Sequence, residues 1–290
     1  MIKLKFFSDF CSSEQVMKNY INVYGISNPY NNIEIVTDDS YTHACIINAA
    51  MPRLNIKKEN VIGFSFEPIA ILYPIFIRKN FFEYAKKHIR TYYTGFVTEK
   101  IPKDIFSEHY AYQWHKWKSH ILENNNNKKH IMSIIVSEKI FLPGHKYRHA
   151  LLYELLKYDI DLHIWGRGST MYHDKRVKGP FGENTDPYDD YYFTISVENS
   201  QSNYYITEKF VDPLVKACIP IYLGARKIKK IFKSDSYYLL KGKLDEDVRK
   251  IVDIYNNFKN YLVKDFTSIQ NEIFRGNGFL FKFLESELNN

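Results

Sequence analysis

Residue types that could carry chemistry are concentrated where an apolar run gives way to a polar loop and then to a helix-like segment. They are Glu198, Asn199, Tyr205, Thr207, Glu208 and Lys209. The N–H groups at a helix start favour a phosphate, to which Lys209 would add a positive charge and Tyr205 a hydroxyl donor. Glu208 could accept hydrogen bonds from ribose hydroxyls. The stretch therefore indicates a nucleotide site, with an ordinary capped helix as the alternative.

A second candidate lies in the first half of the chain. Glu67 follows the apolar run 61–66 and precedes Pro68. A carboxylate in apolar surroundings has a raised pKa and can act as a general base. Because proline suits the first turn of a helix, Glu67 could instead cap a helix that begins there. The sequence leaves both roles open.

The charge of the chain suits an anionic ligand of limited size. The sequence has 40 Lys and Arg residues, 33 Asp and Glu residues and a formal net charge of +7. These charges are interleaved, whereas a nucleic-acid-binding protein usually concentrates its positive charge on one face. We therefore expect no nucleic-acid partner. The three cysteines have the spacing neither of a disulfide framework nor of a zinc site.

The hydropathy pattern gives an expectation about location. The sequence has no signal-peptide pattern, and no stretch approaches the roughly 18 consecutive apolar residues of a membrane-spanning helix. We therefore expect this chain to be soluble or cytoplasmic.

The elements that must position these residues alternate between strands and helices. In the first half, helices are expected at 12–24 and 68–80, and strands at 2–7, 34–37, 44–48 and 61–66. Such alternation predicts a parallel α/β sheet. The polar, low-complexity run 123–129 then predicts a linker, although a surface loop within one domain would have the same composition.

A second α/β series follows this run. Helices are expected at 147–158 and 207–218, and strands at 131–136, 162–165, 191–197 and 219–223. The chain from residue 244 onward has a helical pattern that breaks at Gly276 and Gly278. The predicted organisation is therefore an N-terminal α/β domain at 1–122, a second at 130–265 and a helical C-terminal tail at 266–290.

The stretch 192–224 resembles the signature of the family 10 glycosyltransferases, the α-1,3/4-fucosyltransferases. That signature runs roughly F-x-x-x-x-E-N-S/T, a spacer, Y-x-T-E-K and P-I/V-Y-x-G. The matching residues are Glu198, Asn199, Ser200, Tyr205, Thr207, Glu208, Lys209, Pro220, Tyr222 and Gly224. Upstream, Gly166 and Arg167 fall in a turn that resembles the family's Y/F-G-R-G. The resemblance covers most of residues 130–225 and is weak elsewhere.

This resemblance implies a fold and a reaction. The fold is the GT-B arrangement, in which two Rossmann-like domains face each other across a cleft. The reaction is an inverting transfer of L-fucose from GDP-β-L-fucose to a glycan hydroxyl, such as O3 of GlcNAc or glucose, by direct displacement. The partners are then a nucleotide sugar and a glycan acceptor.

The resemblance also assigns roles to residues. It places Lys209 and Tyr205 at the diphosphate and Glu208 at the ribose. The other donor-binding residues that it implies are Glu198, Asn199, Thr207, Gly166 and Arg167. Arg148 falls at the family's phosphate-binding arginine, where a guanidinium can contact phosphate at two points. Glu67 falls in a short match to the family's Phe-x-x-Glu element, which favours the role of general base.

Some features are less defined. Trp114 and Trp117 could stack on an acceptor sugar, or they could pack in a domain interface. The resemblance implies no obligatory metal, because Lys and Arg can neutralise the diphosphate, and it leaves stimulation by a divalent metal open. The alternatives are a related transferase for another nucleotide sugar and a non-catalytic nucleotide- or carbohydrate-binding module. The sequence predicts no oligomeric state.

Overall fold

The computed structural model describes residues 1–109, 128–182, 187–233, 235–263, 265–276 and 278–289. Trp114, Trp117 and most of the predicted linker, residues 123–127, lie outside the described residues. None of the helices in the described part of the chain combines the length and the apolar character that crossing a membrane requires.

The first sheet is built from the N-terminal third of the chain, and every pair of neighbouring strands is parallel. Its strands are β1 Ile2–Ser8, β2 Ile33–Ile35, β3 His43–Ile47, β4 Val61–Phe64, β5 Thr91–Thr94 and β6 Phe106–Glu108. They are ordered β2-β1-β3-β4-β5-β6. The helices are α1 Ser13–Tyr24, α2 Ile69–Arg78 and α3 Phe81–His88. Ser12 caps α1 by accepting the Gln15 N–H.

The second sheet is also parallel, in the order β12-β11-β10-β7-β8-β9. Its strands are β7 His130–Ile135, β8 Leu162–Trp165, β9 Val177–Gly179, β10 Tyr191–Val197, β11 Ile219–Leu223 and β12 Tyr238–Leu239. Its helices are α4 Pro143–Leu155, α5 Glu208–Val215, α6 Ile228–Ile231 and α7 Leu244–Asn256. Two parallel sheets with intervening helices confirm the predicted α/β class.

Several elements differ from the sequence-based expectation. The strands β9 and β12 have only 3 and 2 residues, too few for a hydrophobic period to be visible. The helix α4 begins at Pro143 rather than at Tyr147, because proline suits the first helical turn and the His145 ring accepts the Leu142 N–H. The helix α5 ends at Val215, and Ala217 beyond it has a positive φ of 48°.

The C-terminal segment, predicted as a tail, lies against both sheets. It contains α8 Thr267–Phe274 and α9 Leu280–Leu288. The side chain of Gln270 in α8 donates to the carbonyl of Leu214 at the end of α5, at 3.1 Å. In α9, the ring of Phe281 packs edge-on against Tyr20 of α1, and Glu287 accepts a hydrogen bond from the Tyr93 hydroxyl of β5. The segment therefore connects the two halves of the molecule, and the domain boundaries stay a prediction.

Replacing Phe281 tests this connection. Phe281 is fully buried and contacts the rings of Tyr20, Tyr24 and Tyr30. We expect Phe281→Ala to lower the free energy of unfolding by about 3–5 kcal/mol, because the deletion leaves a cavity among aromatic rings. The neighbouring Lys282 is exposed, and Lys282→Ala should change the free energy of unfolding by no more than about 0.5 kcal/mol. Urea unfolding measures both, and equal effects would mean that α9 is not anchored on the first sheet.

Candidate active site

The carboxylate of Glu198 fixes the loop that follows β10. Glu198 is fully buried, and its two oxygens accept the N–H of Thr207 at 2.8 Å and the Thr207 hydroxyl at 2.7 Å. Burial raises the pKa of Glu198, and the Lys209 ammonium opposes that shift. Thr207 is also the N-cap of α5, where its Oγ1 accepts the Lys209 N–H at 3.3 Å. The end of β10 and the start of α5 are therefore held together by one buried side chain.

Two charged residues follow this cap in the first turn of α5. The ammonium of Lys209 lies 2.5 Å from Oε1 of Glu208 and 3.4 Å from Oγ1 of Thr207. Burial would lower the pKa of Lys209, but the carboxylates of Glu208 and Glu198 outweigh it and raise that pKa. Burial would raise the pKa of Glu208, but Lys209 outweighs it and lowers that pKa. Both groups are therefore charged at neutral pH.

Arg148 approaches the same place from α4. Its guanidinium is buried, donates to the carbonyl of Val197, and lies 3.2 Å from Oδ1 of Asn199. Burial lowers the pKa of Arg148, and Glu198 and Glu208 offset part of that shift. The N–H of Gly144 in α4 donates to the Asn199 carbonyl at 3.1 Å. The helix can come this close because Gly144 has no side chain, since a Cβ there would lie 1.8 Å from the Glu198 carbonyl oxygen.

His145 is a neighbour that the sequence analysis does not select. Its Nδ1 accepts the Leu142 N–H at 3.3 Å, which leaves the proton of the neutral ring on Nε2. Burial, together with the positive charge of Arg148, lowers the pKa of His145 to about 4. The ring is therefore neutral at pH 7 and can donate from Nε2. Its position in the first turn of α4, which follows β7 at the carboxyl edge of the sheet, is the signal that could have pointed to it.

These groups line a cavity of about 500 Å³, here called the main cavity, at the carboxyl ends of β7, β8 and β10. One part of its wall carries basic side chains, and these are Lys139, His145, Arg148, Arg167 and Lys209. Another part is formed by Ile135, Phe181 and Tyr188. Gly166 has a φ of 96°, and a Cβ there would lie 2.2 Å from the Val136 carbonyl oxygen. Carboxyl ends of parallel strands are where α/β folds bind their ligands.

A second cavity of about 360 Å³, here called the cleft, lies between the two sheets. The first sheet and its loops contribute Phe10, Asn48, Phe66 and Glu67, and the second contributes Asn199, Tyr205, Thr207, Glu208 and Lys209. Asn199, Glu208 and Lys209 line both cavities, so the two cavities are adjacent at these residues. Glu67 thus faces the Glu208–Lys209 pair across the cleft.

Asn48 sets the backbone that carries Glu67. Asn48 is buried with a positive φ of 54°, and its Oδ1 accepts the N–H of Phe66 at 2.8 Å and of Glu67 at 3.3 Å. Burial raises the pKa of Glu67, and Lys209 and Lys139 oppose that shift. Within the described residues, Pro68 is the N-cap of α2 and no side chain caps that helix. The capping role considered for Glu67 is therefore wrong.

The loop between Glu198 and Thr207 is also held by the first sheet. Tyr204 donates to the Gly95 carbonyl at 2.9 Å, and Glu108 in β6 accepts from Asn203 and Lys227, each at 2.8 Å. The adjacent Tyr205 is buried beside the cleft, and burial raises the pKa of its hydroxyl well above the usual value. Tyr205 is therefore a neutral hydroxyl in the wall of the cleft.

The structure brings most of the predicted site residues together. Arg148, Gly166, Arg167, Asn199, Glu208 and Lys209 line the main cavity, and Glu67, Tyr205 and Thr207 line the cleft. Glu198 lies beneath them, where its carboxylate is bonded to Thr207. Lys139 and His145 complete the basic part of the main cavity, and no pattern in the sequence assigns a role to either.

The chain is similar in fold to solved glycosyltransferases. It aligns with an alpha1,3-fucosyltransferase with GDP at a TM-score of 0.55 and 14% identity, over 100% of this chain and 91% of that one. With the GDP-fucose complex of an alpha1,3-fucosyltransferase, the TM-score is 0.53 and the identity 15%, over 100% of this chain and 90% of that one. With the apo form of the lipopolysaccharide outer core galactosyltransferase WaaB, the TM-score is 0.51 and the identity 13%, over 99% of both chains. No curated protein matches the sequence.

The two parallel sheets have the GT-B fold of these solved structures, which confirms the predicted fold class. Residues 124–254 match the family model described as glycosyltransferase family 10 (fucosyltransferase) C-term. The matched residues include the start of α5 and those that line the main cavity, so the predicted resemblance is confirmed. Together with the shared fold, this match identifies a glycosyltransferase.

A methyl group at Gly144 tests how closely α4 must approach Asn199. We expect Gly144→Ala to weaken binding of a nucleoside diphosphate by about tenfold or more, because the added Cβ overlaps the Glu198 carbonyl and displaces Arg148 and His145. Gly182 is the matched control, since a Cβ there meets nothing within 4 Å. Calorimetric titration with GDP measures both variants. Wild-type affinity in Gly144→Ala would show that the position of α4 does not matter for binding.

Proposed function

We propose that this glycosyltransferase moves L-fucose from GDP-β-L-fucose to a hydroxyl of a glycan, with inversion at the anomeric carbon. The observation that carries the proposal is that the two cavities adjoin at Asn199, Glu208 and Lys209. There, a cation-lined cavity in the segment that matches the family 10 (fucosyltransferase) model meets a carboxylate on the opposite sheet.

The main cavity suits a nucleoside diphosphate. Lys209 and Arg148 are charged groups near the start of α5, where a helix N-terminus favours phosphate. Lys139 and Arg167 are exposed residues in the wall of the same cavity and can add charge when a donor enters. Phe181, Tyr188 and Ile135 offer an apolar surface for the base. Glu208 would accept hydrogen bonds from the ribose while its charge stays paired with Lys209.

The proposed reaction uses the carboxylate of Glu67 on one sheet and the cations Lys209 and Arg148 on the other. Glu67 takes the proton of the acceptor hydroxyl, whose oxygen attacks the anomeric carbon from the face opposite the diphosphate. The bond between that carbon and the β-phosphate oxygen breaks, and its electron pair leaves with GDP. Lys209 and Arg148 stabilise the charge that develops on the leaving diphosphate. The product is a fucosylated glycan, with the proton on Glu67.

The acceptor is proposed to present O3 of GlcNAc or of glucose. The support is the fold shared with an alpha1,3-fucosyltransferase over the full length of this chain. On the first sheet, the ring of Phe10 is 50% exposed beside Glu67 and offers a flat apolar face of the kind on which sugars stack. The partners are therefore a nucleotide sugar and a glycan.

Two other functions are considered beside this one. WaaB, a galactosyltransferase, shares the fold, so a different nucleotide sugar is one of them. A non-catalytic binding module is the other, and the placement of Glu67 opposite Lys209 argues against it. Incubation with GDP-fucose and with UDP-galactose, each with GlcNAc- and glucose-terminated oligosaccharides, separates the three. Fucosylated product supports the proposal, galactosylated product supports the first alternative, and donor binding without any product supports the second.

Substitutions at Lys209 and Glu67 should affect different steps. Lys209→Ala should weaken GDP binding by about tenfold or more, because a charge-assisted contact to the diphosphate is lost. Glu67→Gln should leave GDP affinity within about twofold of wild type and lower kcat by roughly 10²–10⁴-fold, as expected when a general base is removed. Lys229 and Glu59 are exposed, so Lys229→Ala and Glu59→Gln are the controls. Calorimetry measures the GDP affinity and initial rates give kcat. An undiminished kcat in Glu67→Gln would show that Glu67 is not the general base.

The pH dependence of the wild type gives the same test without a substitution. The base must be ionised to accept a proton, so kcat falls as pH drops through its pKa. Burial raises the pKa of Glu67, so the acid limb should have its midpoint above the ordinary glutamate value of about 4.3. An acid limb that persists unchanged in the residual activity of Glu67→Gln would assign it to another group.

A further inference from the structure

A cluster of metal-ligand side chains lies at the edge of the second sheet opposite the active site. His130 begins β7, Asp161 immediately precedes β8, and His163 lies within β8. One potential ligand atom from each residue lies within 4.8 Å of the other two. The active site lies at the carboxyl ends of these strands, whereas the cluster lies at their amino ends. We propose that His130, Asp161 and His163 bind one divalent transition-metal ion of the zinc type.

The spacing of the cluster is close to that of a metal-ligand set. Bonds of about 2.1 Å to a tetrahedral ion place ligand atoms roughly 3.4 Å apart. Nε2 of His163 lies 3.2 Å from Oδ1 of Asp161, already near that value. The His130 and His163 rings have centroids 4.4 Å apart. His130 is partly exposed, and one of its ring nitrogens lies within 4.8 Å of the ligand atoms of both other residues.

The surroundings of His163 support a ligand role. Its Nδ1 lies 2.8 Å from the Tyr191 hydroxyl, and that hydroxyl also accepts the Trp165 indole N–H at 2.9 Å. A hydroxyl both donates and accepts, so Tyr191 can serve either neutral tautomer of His163. When a metal takes Nε2, the ring proton lies on Nδ1 and is donated to Tyr191. Such a partner on the second ring nitrogen is usual for metal-bound histidines.

The chemistry of the three side chains selects the kind of ion. Two neutral imidazoles and one carboxylate suit zinc and its neighbours, whereas magnesium and calcium prefer oxygen ligands. The side chain of Asp161 is 57% exposed, so water can reach a fourth position on the ion. A bound ion would link the amino ends of β7 and β8 and thereby stabilise the second domain.

The test uses the full chain after treatment with a chelator. Titration with Zn²⁺ should show one ion per chain and raise the Tm, while Mg²⁺ should do neither. Co²⁺ in place of Zn²⁺ should give the visible absorption of a tetrahedral ion. Absence of saturable Zn²⁺ binding in the wild type would overturn the proposal.

Variants locate the ion. His130→Gln and Asp161→Asn change residues with exposed surface, and each should weaken Zn²⁺ binding by about tenfold or more. His173→Gln is the control, because His173 is exposed and outside the cluster. Tyr191→Phe should weaken binding by roughly 10–100-fold, since it removes only the hydroxyl behind His163. Unchanged Zn²⁺ affinity in either His130→Gln or Asp161→Asn would show that the ion binds elsewhere.

Discussion

The site depends on the buried carboxylate of Glu198. A carboxylate that loses its water must find hydrogen-bond donors within the protein, and Thr207 supplies two of them. Each hydrogen bond to a charged group contributes about 1.5–3 kcal/mol to the free energy of folding, and a buried charge without such bonds destabilises the fold by more. The two ends of the loop after β10, Glu198 and Thr207, are therefore held together, and the first turn of α5 begins at this point. Lys209 is fixed next to this pair and lowers the electrostatic cost of burying the charge.

Close backbone contacts make this arrangement rigid. Gly144 lets the start of α4 touch the backbone that follows Glu198, which brings Arg148 to the opposite side of the same loop. From the first sheet, Gly95 and Glu108 hold the middle of the loop through Tyr204 and Asn203. The loop is thus fixed by both halves of the molecule, and α9 adds a second connection between them. As a result Glu67 and Lys209 line the same cleft, although they belong to different sheets.

The sequence predicts the parts of this structure that depend on local patterns. The strands 162–165, 191–197 and 219–223 match the structure residue for residue, because buried parallel strands are continuous apolar runs. The start of α5 directly after Thr207 follows from the capping chemistry of that residue. Features that depend on contacts between distant residues could not be predicted. The burial of Glu198 beneath the site, the approach of α4 and the position of α9 all come from packing that no local period encodes.

The most direct test of the central claim is the GDP affinity of Thr207→Val. Valine keeps the shape of threonine but removes the hydroxyl that binds Glu198 and caps α5. If this link positions the donor site, calorimetry should show GDP binding at least about tenfold weaker than in the wild type, since one buried oxygen of Glu198 loses its donor and the loop shifts. Thr267→Val, at an exposed position in α8, should bind GDP as the wild type does. Wild-type affinity in Thr207→Val would contradict the account.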